Sequence, residues 1–170
     1  YEYAKLSSKA QYTEAIDLVT FVQEVIADLS FDDSLDIQIG IGDLPVIWGN
    51  PGLLRKVFQN LISNAVKYSD KRTTVINISC DGTFEKSLGR FAVLRVTDNG
   101  PGISPEDQKE IFTMFRRGSN TGELEGIGIG LSVVKRIVEL HFGSIEVESE
   151  LAHGTTFLFS LPVEDVSLEA

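Results

Sequence analysis

The protein has 170 residues, 42% of them hydrophobic and 24% charged, which is the composition of one globular domain. Its formal net charge of −10 argues against nonspecific nucleic-acid binding, because such binding needs a basic surface. The sequence contains no apolar run of about 20 residues that could cross a membrane. Its one cysteine, Cys80, excludes an internal disulfide and a multi-cysteine zinc site.

Hydrophobic periodicity predicts alternating groups of helices and strands along the chain. Residues 1–12 are polar with partly helical spacing, and 114–125 lack periodicity and are predicted to form a mobile loop. The predicted elements are, in order, a helix over 16–29, strands over 35–41 and 45–48, a long helix opening at Asn50-Pro51, strands over 73–79 and 90–97 joined by a loop containing Gly82 and Gly89, a helix over 105–112, a helix over 130–141, and strands over 144–149 and 155–161. This order predicts an α+β two-layer sandwich.

The predicted long helix carries two asparagines at the border of its apolar face. Asn60 and Asn64 are four residues apart and therefore share one stripe, which Lys67 and Tyr68 continue. Two amides in this position can coordinate a metal or meet phosphate oxygens. The alternative interpretation is a pair of asparagines that simply face solvent.

The segment that follows the predicted strand 90–97 combines a carboxylate with glycines. Asp98-Asn99-Gly100-Pro101-Gly102 suits recognition of the exocyclic amine of a base, since glycines let the backbone approach a ligand closely. The same string is also a strong turn signal, and a plain turn is the alternative that this segment by itself favours.

Three alternating glycines, Gly126, Gly128 and Gly130, run directly into a predicted helix. A helix N-terminus favours phosphate, and the glycines could also form a hinge for the preceding loop. The spacing matches neither a Rossmann fingerprint nor a Walker motif, which excludes both. Upstream, Phe112 and Phe115 precede a basic pair and could line a pocket rim or simply belong to the core.

In their order and spacing these motifs resemble the HATPase catalytic domain of sensor histidine kinases, in the gyrase, Hsp90, histidine kinase and MutL superfamily. The boxes of that family are matched by 60–69 (N box), 98–102 (first glycine box), 112–117 (F box), 126–131 (second glycine box) and 154–157 (third glycine box). The resemblance spans about residues 16–162. It implies a two-layer α/β sandwich, the Bergerat ATP-binding fold, with a mixed sheet covered by helices on one face.

The resemblance implies that this domain binds ATP and magnesium. By similarity, Asp98 would accept a hydrogen bond from the adenine amino group, and Asn64 would ligate magnesium with support from Asn60. Residues 114–125 would form a lid. The residues implied in catalysis are Asn60, Asn64, Lys67 and Arg117. The remaining positions implied in nucleotide binding are Tyr68, Gly100, Gly102, Ile103, Phe115, Gly126, Ile127, Gly128, Ile129, Gly130, Leu131 and Thr156.

Asn60 also distinguishes branches of the superfamily. Hydrolytic members such as gyrase and MutL carry a glutamate one turn before the magnesium asparagine, where it activates water. An amide cannot accept that proton, so the resemblance favours a kinase over an ATPase clamp. The sequence departs from the family pattern at Ile127, where threonine is usual, and at Lys56, where glutamine is often found.

Members of this family phosphorylate a histidine on a separate helical dimerisation domain. Neither His141 nor His153 has the acidic residue that follows such a histidine, so both are predicted to be structural. We expect residues 1–12 to be the end of the dimerisation helix and linker, 13–163 the catalytic domain, and 164–170 a tail.

The resemblance also implies partners. These are the dimerisation/histidine-phosphotransfer domain of the same parent and a response regulator receiver domain, without nucleic-acid or membrane contact by this chain. The chain is expected to be monomeric and cytoplasmic, within a homodimeric parent that could itself be membrane-bound. The alternatives are a serine kinase of the anti-sigma type and a nucleotide-binding pseudokinase or scaffold.

Overall fold

The computed structural model describes residues 12–113 and 130–166. Their elements are β1 (Glu14–Asp17), α1 (Leu18–Asp28), β2 (Asp36–Ile41), β3 (Val46–Gly49), α2 (Pro51–Lys67), β4 (Thr73–Lys86), β5 (Gly89–Asp98), α3 (Pro105–Gln108), α4 (Gly130–Leu140), β6 (Ile145–Ser149) and β7 (Thr155–Pro162). The predicted mixture of helices and strands is confirmed. No helix within these ranges is long and apolar enough to cross a bilayer.

A five-stranded mixed sheet forms one layer of the domain. Its strand order is β2-β4-β5-β7-β6, with β2 parallel to β4 and the other neighbours antiparallel. Strands β1 and β3 pair separately as a two-stranded antiparallel ribbon. The core joins the apolar stripes of α1, α2 and α4 to alternate residues of the large sheet. Because alternate residues of a strand share one face, all three helices cover the same side of that sheet.

Helix α2 is the central element of the helical layer. Its N-cap is Asn50, whose side-chain oxygen accepts a hydrogen bond from the Leu53 backbone N–H at 3.0 Å, and Pro51 occupies the first turn, as predicted. The buried ring of Phe58 contacts Phe21 of α1 edge-on at 6.2 Å and Phe159 of β7 at 5.7 Å between ring centroids. This helix is therefore fixed against both its neighbouring helix and the sheet.

Three element boundaries differ from the sequence prediction. Strand β4 continues past Gly82 to Lys86, because a bulge between Cys80 and Thr83 absorbs one extra residue and the segment predicted to form a loop pairs with β5 instead. Helix α3 ends at Gln108, and the chain then tightens into turns with i to i+3 hydrogen bonds, such as Thr113 N–H to Glu110 O. The short extended entry that we expect before the first helix is strand β1, and it reaches Asp17, so that α1 begins at Leu18 rather than at Ile16. The predicted segments 1–11 and 114–129 lie outside the described residues.

His141 joins the end of α4 to the start of α2. Its Nδ1 lies 2.8 Å from the Ile137 carbonyl, and its Nε2 accepts a hydrogen bond from the Asn50 backbone N–H at 3.0 Å. This arrangement requires the neutral tautomer with the proton on Nδ1. Burial accordingly lowers the pKa of His141 below its ordinary value. The predicted structural role of His141 is confirmed by these contacts.

We expect this histidine to make folding stability depend on pH. Because its pKa is lower in the folded than in the unfolded state, the unfolded chain binds more protons as the pH falls below about 6.5. The free energy of unfolding should therefore decrease on acidification, with a slope of up to about 1.4 kcal/mol per pH unit from this group. This slope is measured by denaturant unfolding at about pH 5 to 8, the range in which histidine changes its charge.

The matched variants are His141→Gln and His153→Gln, the latter at an exposed histidine of the β6–β7 turn. His141→Gln should lower stability at neutral pH and flatten the acid-side slope, whereas His153→Gln should leave both unchanged. An unaltered slope in His141→Gln would contradict the assignment.

Candidate functional site

The face of the sheet that packs against the helices is apolar over most of its area and becomes polar at one end. Cross-strand partners form rows over this face, and two of these rows are apolar: Ile41, Ile78, Val96, Phe157, Val147; and Cys80, Leu94, Phe159, Ile145. The row at the end of β5 instead reads Ile39, Ile76, Asp98, Thr155, Ser149. Three polar side chains from three adjacent strands are thus placed side by side where the apolar core ends.

Asp98 holds its carboxylate half-buried in this row. The Gly100 backbone N–H donates to its Oδ1 at 2.8 Å, and the Thr155 backbone N–H also hydrogen bonds to the carboxylate. Burial raises the pKa of Asp98 above its ordinary value, and the two backbone hydrogen bonds oppose that shift. The remaining lone pairs of the Asp98 carboxylate suit a hydrogen-bond donor on a ligand.

The glycine turn after Asp98 is locked against the β6–β7 turn. Gly102 has φ +77, and a Cβ at this position would collide with the Glu150 carbonyl. Gly154 has φ +86, and a Cβ there would collide with the Asp98 carbonyl. The Ala152 backbone N–H also donates to Pro101 O at 2.8 Å. Two glycines are therefore required for the two turns to approach each other.

Asn99 is explained by structure rather than by ligand binding. Its Oδ1 accepts from the Val75 backbone N–H at 2.9 Å, and its Nδ2 donates to Thr73 O at 3.0 Å. These contacts bind the glycine turn to the start of β4. The turn interpretation and the binding interpretation of this segment therefore both apply, to different residues.

Helix α2 places Asn60 beside the start of α4. The Nδ2 of Asn60 donates to Lys56 O at 2.8 Å, which directs its Oδ1 outward from the helix axis. A Cβ on Gly130 would lie 3.0 Å from that Oδ1. The half-buried Asn64 lies one turn further along the same stripe of α2. Asn60 thus adjoins the N-terminus of α4, whose first N–H groups and dipole favour an anion.

The other predicted positions are distributed around this centre. Lys67 is exposed, with its ammonium 5.4 Å from the centroid of the half-buried Tyr68 ring. Leu131 and Ile103 pack against the core, and Phe112 contacts Phe157 edge-on at 6.2 Å, so core packing accounts for this phenylalanine. The predicted site residues outside the described ranges are Phe115, Arg117, Gly126, Ile127, Gly128 and Ile129.

Thr156 is not brought together with the other predicted residues. It lies on the face of the sheet opposite the helices, where its Oγ1 is 3.0 Å from Thr97 Oγ1. Thr155 instead is the cross-strand partner of Asp98 and shares its face. The period of a strand explains the difference, because consecutive residues point to opposite faces. The signal that would have identified Thr155 is its register with Asp98, which the sequence alone does not provide.

The side chains present suit magnesium bound together with phosphates better than a site made by protein alone. Within 12–113 and 130–166 no group of three or more His, Cys, Asp or Glu could hold a metal ion. The amide oxygens of Asn60 and Asn64 are the hard oxygen donors that Mg²⁺ accepts, and the orientation of Asn60 leaves its Oδ1 available. Magnesium commonly takes only one or two protein ligands when phosphates and waters complete its shell.

A protein-family model described as "Histidine kinase-, DNA gyrase B-, and HSP90-like ATPase" matches residues 49–165. Among curated proteins, the chain is 41% identical over 122 residues to adaptive-response sensory kinase SasA of Synechococcus elongatus, covering 72% of this chain and 30% of that protein. It is 38% identical over 133 residues to sensor protein kinase PmrB of Pseudomonas aeruginosa, covering 76% and 26%. The chain thus spans less than a third of the length of these relatives.

Solved structures agree with the fold. The mycobacterial sensor histidine kinase MprB superposes with a TM-score of 0.71 at 23% identity, covering 88% of this chain and 97% of that one. Full-length ShkA, crystallised in complex with AMPPNP, superposes with a TM-score of 0.70 at 25% identity, covering 94% of this chain and 33% of that one. The predicted sandwich, with its mixed sheet covered by helices on one face, is confirmed.

The locked turns predict an asymmetry between glycines. Gly102→Ala should lower the free energy of unfolding by roughly 2 kcal/mol or more, because an L side chain at positive φ is strained and its Cβ meets backbone. Gly52→Ala, at an exposed position in the first turn of α2, should instead raise stability by up to about 1 kcal/mol. Urea denaturation compares the two, and equal effects would contradict the locked-turn interpretation.

Proposed function

The chain belongs to the family of histidine kinase-, DNA gyrase B- and HSP90-like ATPases, as an ATP-binding catalytic domain of the sensor histidine kinase type, and from this premise we propose that it presents the γ-phosphate of Mg-ATP to a histidine on a separate dimerisation domain of its parent. The observation that carries the proposal is the joint placement of Asp98 at the end of β5 and of Asn60 beside the start of α4. The first suits a base that carries an amino group, and the second suits phosphates.

In this proposal the base is recognised at Asp98. The carboxylate accepts a hydrogen bond from the adenine amino group, while Gly102 and Gly154 keep the surrounding backbone clear of side chains. Thr155 lies next to Asp98 on the same face and adds a hydroxyl to the base pocket. Base recognition then depends on the end of the sheet, which the helical layer holds in place.

The phosphates lie toward α2 and α4. Magnesium, when bound with ATP, neutralises phosphate charge; Asn64 would ligate it, and Asn60 would support Asn64 from the preceding turn. Lys67 and Arg117 would add positive charge for phosphate oxygens, and the N-terminus of α4 would donate backbone N–H groups. These residues position and neutralise the triphosphate, which is most of what phosphoryl transfer requires from a protein.

The amide at position 60 supports transfer rather than hydrolysis. Its Nδ2 donates to Lys56 O, and an amide oxygen cannot take a proton from water at neutral pH. No proton is therefore abstracted at this position, and the acceptor histidine of another domain supplies its own nucleophilic nitrogen. A serine kinase of the anti-sigma type is not favoured, because the relatives reported above are sensor kinases.

We also propose the setting of this domain. In this proposal, residues 13–163 form the catalytic unit, 1–12 are the end of the dimerisation helix and a linker, and 164–170 are a tail. The partners are the dimerisation domain and a response regulator receiver domain, in a cytoplasmic compartment and a homodimeric parent. What supports this setting is that the relatives are three or more times longer than the matched segment.

Asp98→Asn should abolish nucleotide binding without unfolding the protein. The variant loses the charged acceptor for the adenine amino group. It also loses a carboxylate whose pKa is raised in the folded state, so its ionisation opposes folding above that pKa and its removal should preserve or raise stability at pH 7. Calorimetric titration with ADP and a nonhydrolysable ATP analogue tests binding, and a thermal melt tests folding. Full affinity in the variant would exclude Asp98 as the adenine contact.

Asn64→Ala should weaken only the magnesium-dependent part of binding. We expect wild-type affinity for ADP without magnesium, and about a tenfold or greater loss with it, together with slower phosphate transfer from labelled ATP to a supplied dimerisation domain. Asn77→Ala, at an exposed asparagine on the opposite face of the sheet, is the control. Saturable binding by wild type without any transfer would instead favour the pseudokinase or scaffold alternative.

A further inference from the structure

The hydroxyl of Ser149 is fully engaged at the end of the polar row. Its oxygen accepts from the Ile103 backbone N–H at 2.8 Å and donates to Gly154 O at 2.8 Å. It also lies 2.8 Å from Thr155 Oγ1. A serine hydroxyl has one proton, and the carbonyl of Gly154 can only accept. In the third contact Thr155 must therefore be the donor.

This allocation of protons fixes what Thr155 offers to its other neighbours. Because the hydroxyl proton of Thr155 points toward Ser149, Thr155 Oγ1 has only its lone pairs to offer to other neighbours, and it can therefore only accept a hydrogen bond from them. Asp98, the cross-strand neighbour of Thr155, presents a carboxylate that also only accepts. The part of the row that flanks the base pocket thus presents acceptors, and the residue that sets this polarity is Ser149.

Gln108 also joins the glycine turn to Ser149. Its Nε2 donates to Ile103 O at 2.7 Å and to Ser149 O at 2.9 Å, which uses both protons of the amide. The N–H of Ile103 is bound by Ser149 and its C=O by Gln108. Residue 103 follows Gly102, so these two side chains fix the position of the glycine turn relative to β6.

We propose that Ser149 and Gln108 are positioning residues that make this site select a 6-amino purine over a 6-oxo purine. The inference rests on the proposed nucleotide site. Ser149 orients the Thr155 hydroxyl, and Gln108 keeps the glycine turn close enough for that orientation to persist. An amino group at position 6 meets acceptors, whereas a 6-oxo group would meet oxygen lone pairs without a proton between them.

The experiment compares ADP with inosine diphosphate, which differ in base chemistry but carry the same phosphates. Calorimetric affinities are measured for the 170-residue chain and for Ser149→Ala, Ser149→Thr and Gln108→Met. We expect wild type to prefer ADP, and Ser149→Ala to reduce that preference by about tenfold, since the Thr155 proton becomes free to reach an oxo group. Ser149→Thr restores a hydroxyl and should restore the preference.

Gln108→Met removes both amide donors at similar side-chain length. It should reduce the preference for ADP in the same direction, because the glycine turn loses its hydrogen bonds from Gln108 to Ile103 O and to Ser149 O. The matched controls are Ser144→Ala, at an exposed position just before β6, and Gln38→Ala, at an exposed position on β2. Both should leave the affinities for ADP and for inosine diphosphate unchanged.

The outcomes separate a positioning role from a structural one. Equal losses for ADP and inosine diphosphate, or a lower melting temperature with an unchanged preference, would overturn the inference while leaving the nucleotide site intact. Failure of the threonine variant to restore the preference would also overturn it. Absence of ADP binding by folded wild type would instead refute the proposed function on which the inference rests.

Discussion

One half-buried carboxylate, that of Asp98, constrains the local architecture of this domain. Asp98 lies in line with Ile76, in the polar row of a face whose other described rows are apolar, and burial works against its ionisation. Backbone N–H groups of Gly100 and Thr155 offset part of that penalty. Gly100 lies in the glycine turn and Thr155 directly follows Gly154, where a Cβ would collide with the Asp98 carbonyl. Gly154 is therefore required where the β6–β7 turn closes on Asp98 at the end of a central strand, and Gly102 is required where the glycine turn meets Glu150.

Helix α2 has an apolar face that packs in the core and a polar stripe that carries Asn60, and the packing of the first positions the second. Its apolar face packs the buried Phe58 between α1 and β7, which fixes the rotation of the helix. That rotation determines where Asn60 points, and its Oδ1 comes to lie close to Gly130. At the opposite end, His141 joins α4 to the N-cap of α2. The packing that fixes α2, together with its link to α4, thus also sets where Asn60 lies, so core packing and the geometry of the proposed phosphate site are not independent.

Local patterns in the sequence predicted most of the fold. The cap at Asn50 and the apolar stripe of α2 depend on neighbouring residues, and the structure confirms them. The continuation of β4 through Gly82 was missed, because a glycine is an equally good signal for a loop and for a bulge. The end of α3 at Gln108 was missed because the apolar spacing beyond it is satisfied by turns that pack on the core.

The site was less predictable than the fold, since it depends on register between distant segments. Asp98 and the asparagines of α2 could be nominated from motifs, but Thr156 was chosen where the pairing of β5 with β7 places Thr155. Nothing local distinguishes two consecutive threonines. No sequence motif pointed to Ser149 or Gln108. Their proposed roles depend on hydrogen bonds that join Ser149 to the glycine turn and to Gln108, which lie more than 40 residues away in the sequence.

Base selection in such a site is a property of the row rather than of one residue. The row joins positions 98, 149 and 155, whose polarity is set by a chain of donors that begins at a backbone N–H and ends at a carbonyl. The Ser149 hydroxyl can point its proton only at Gly154 O, because the backbone N–H at one end of the chain can only donate and the backbone carbonyl at the other end can only accept. In our proposal, Ser149 touches no ligand and yet decides which base is accepted, while Asp98, the proposed base contact, can be altered with little loss of stability.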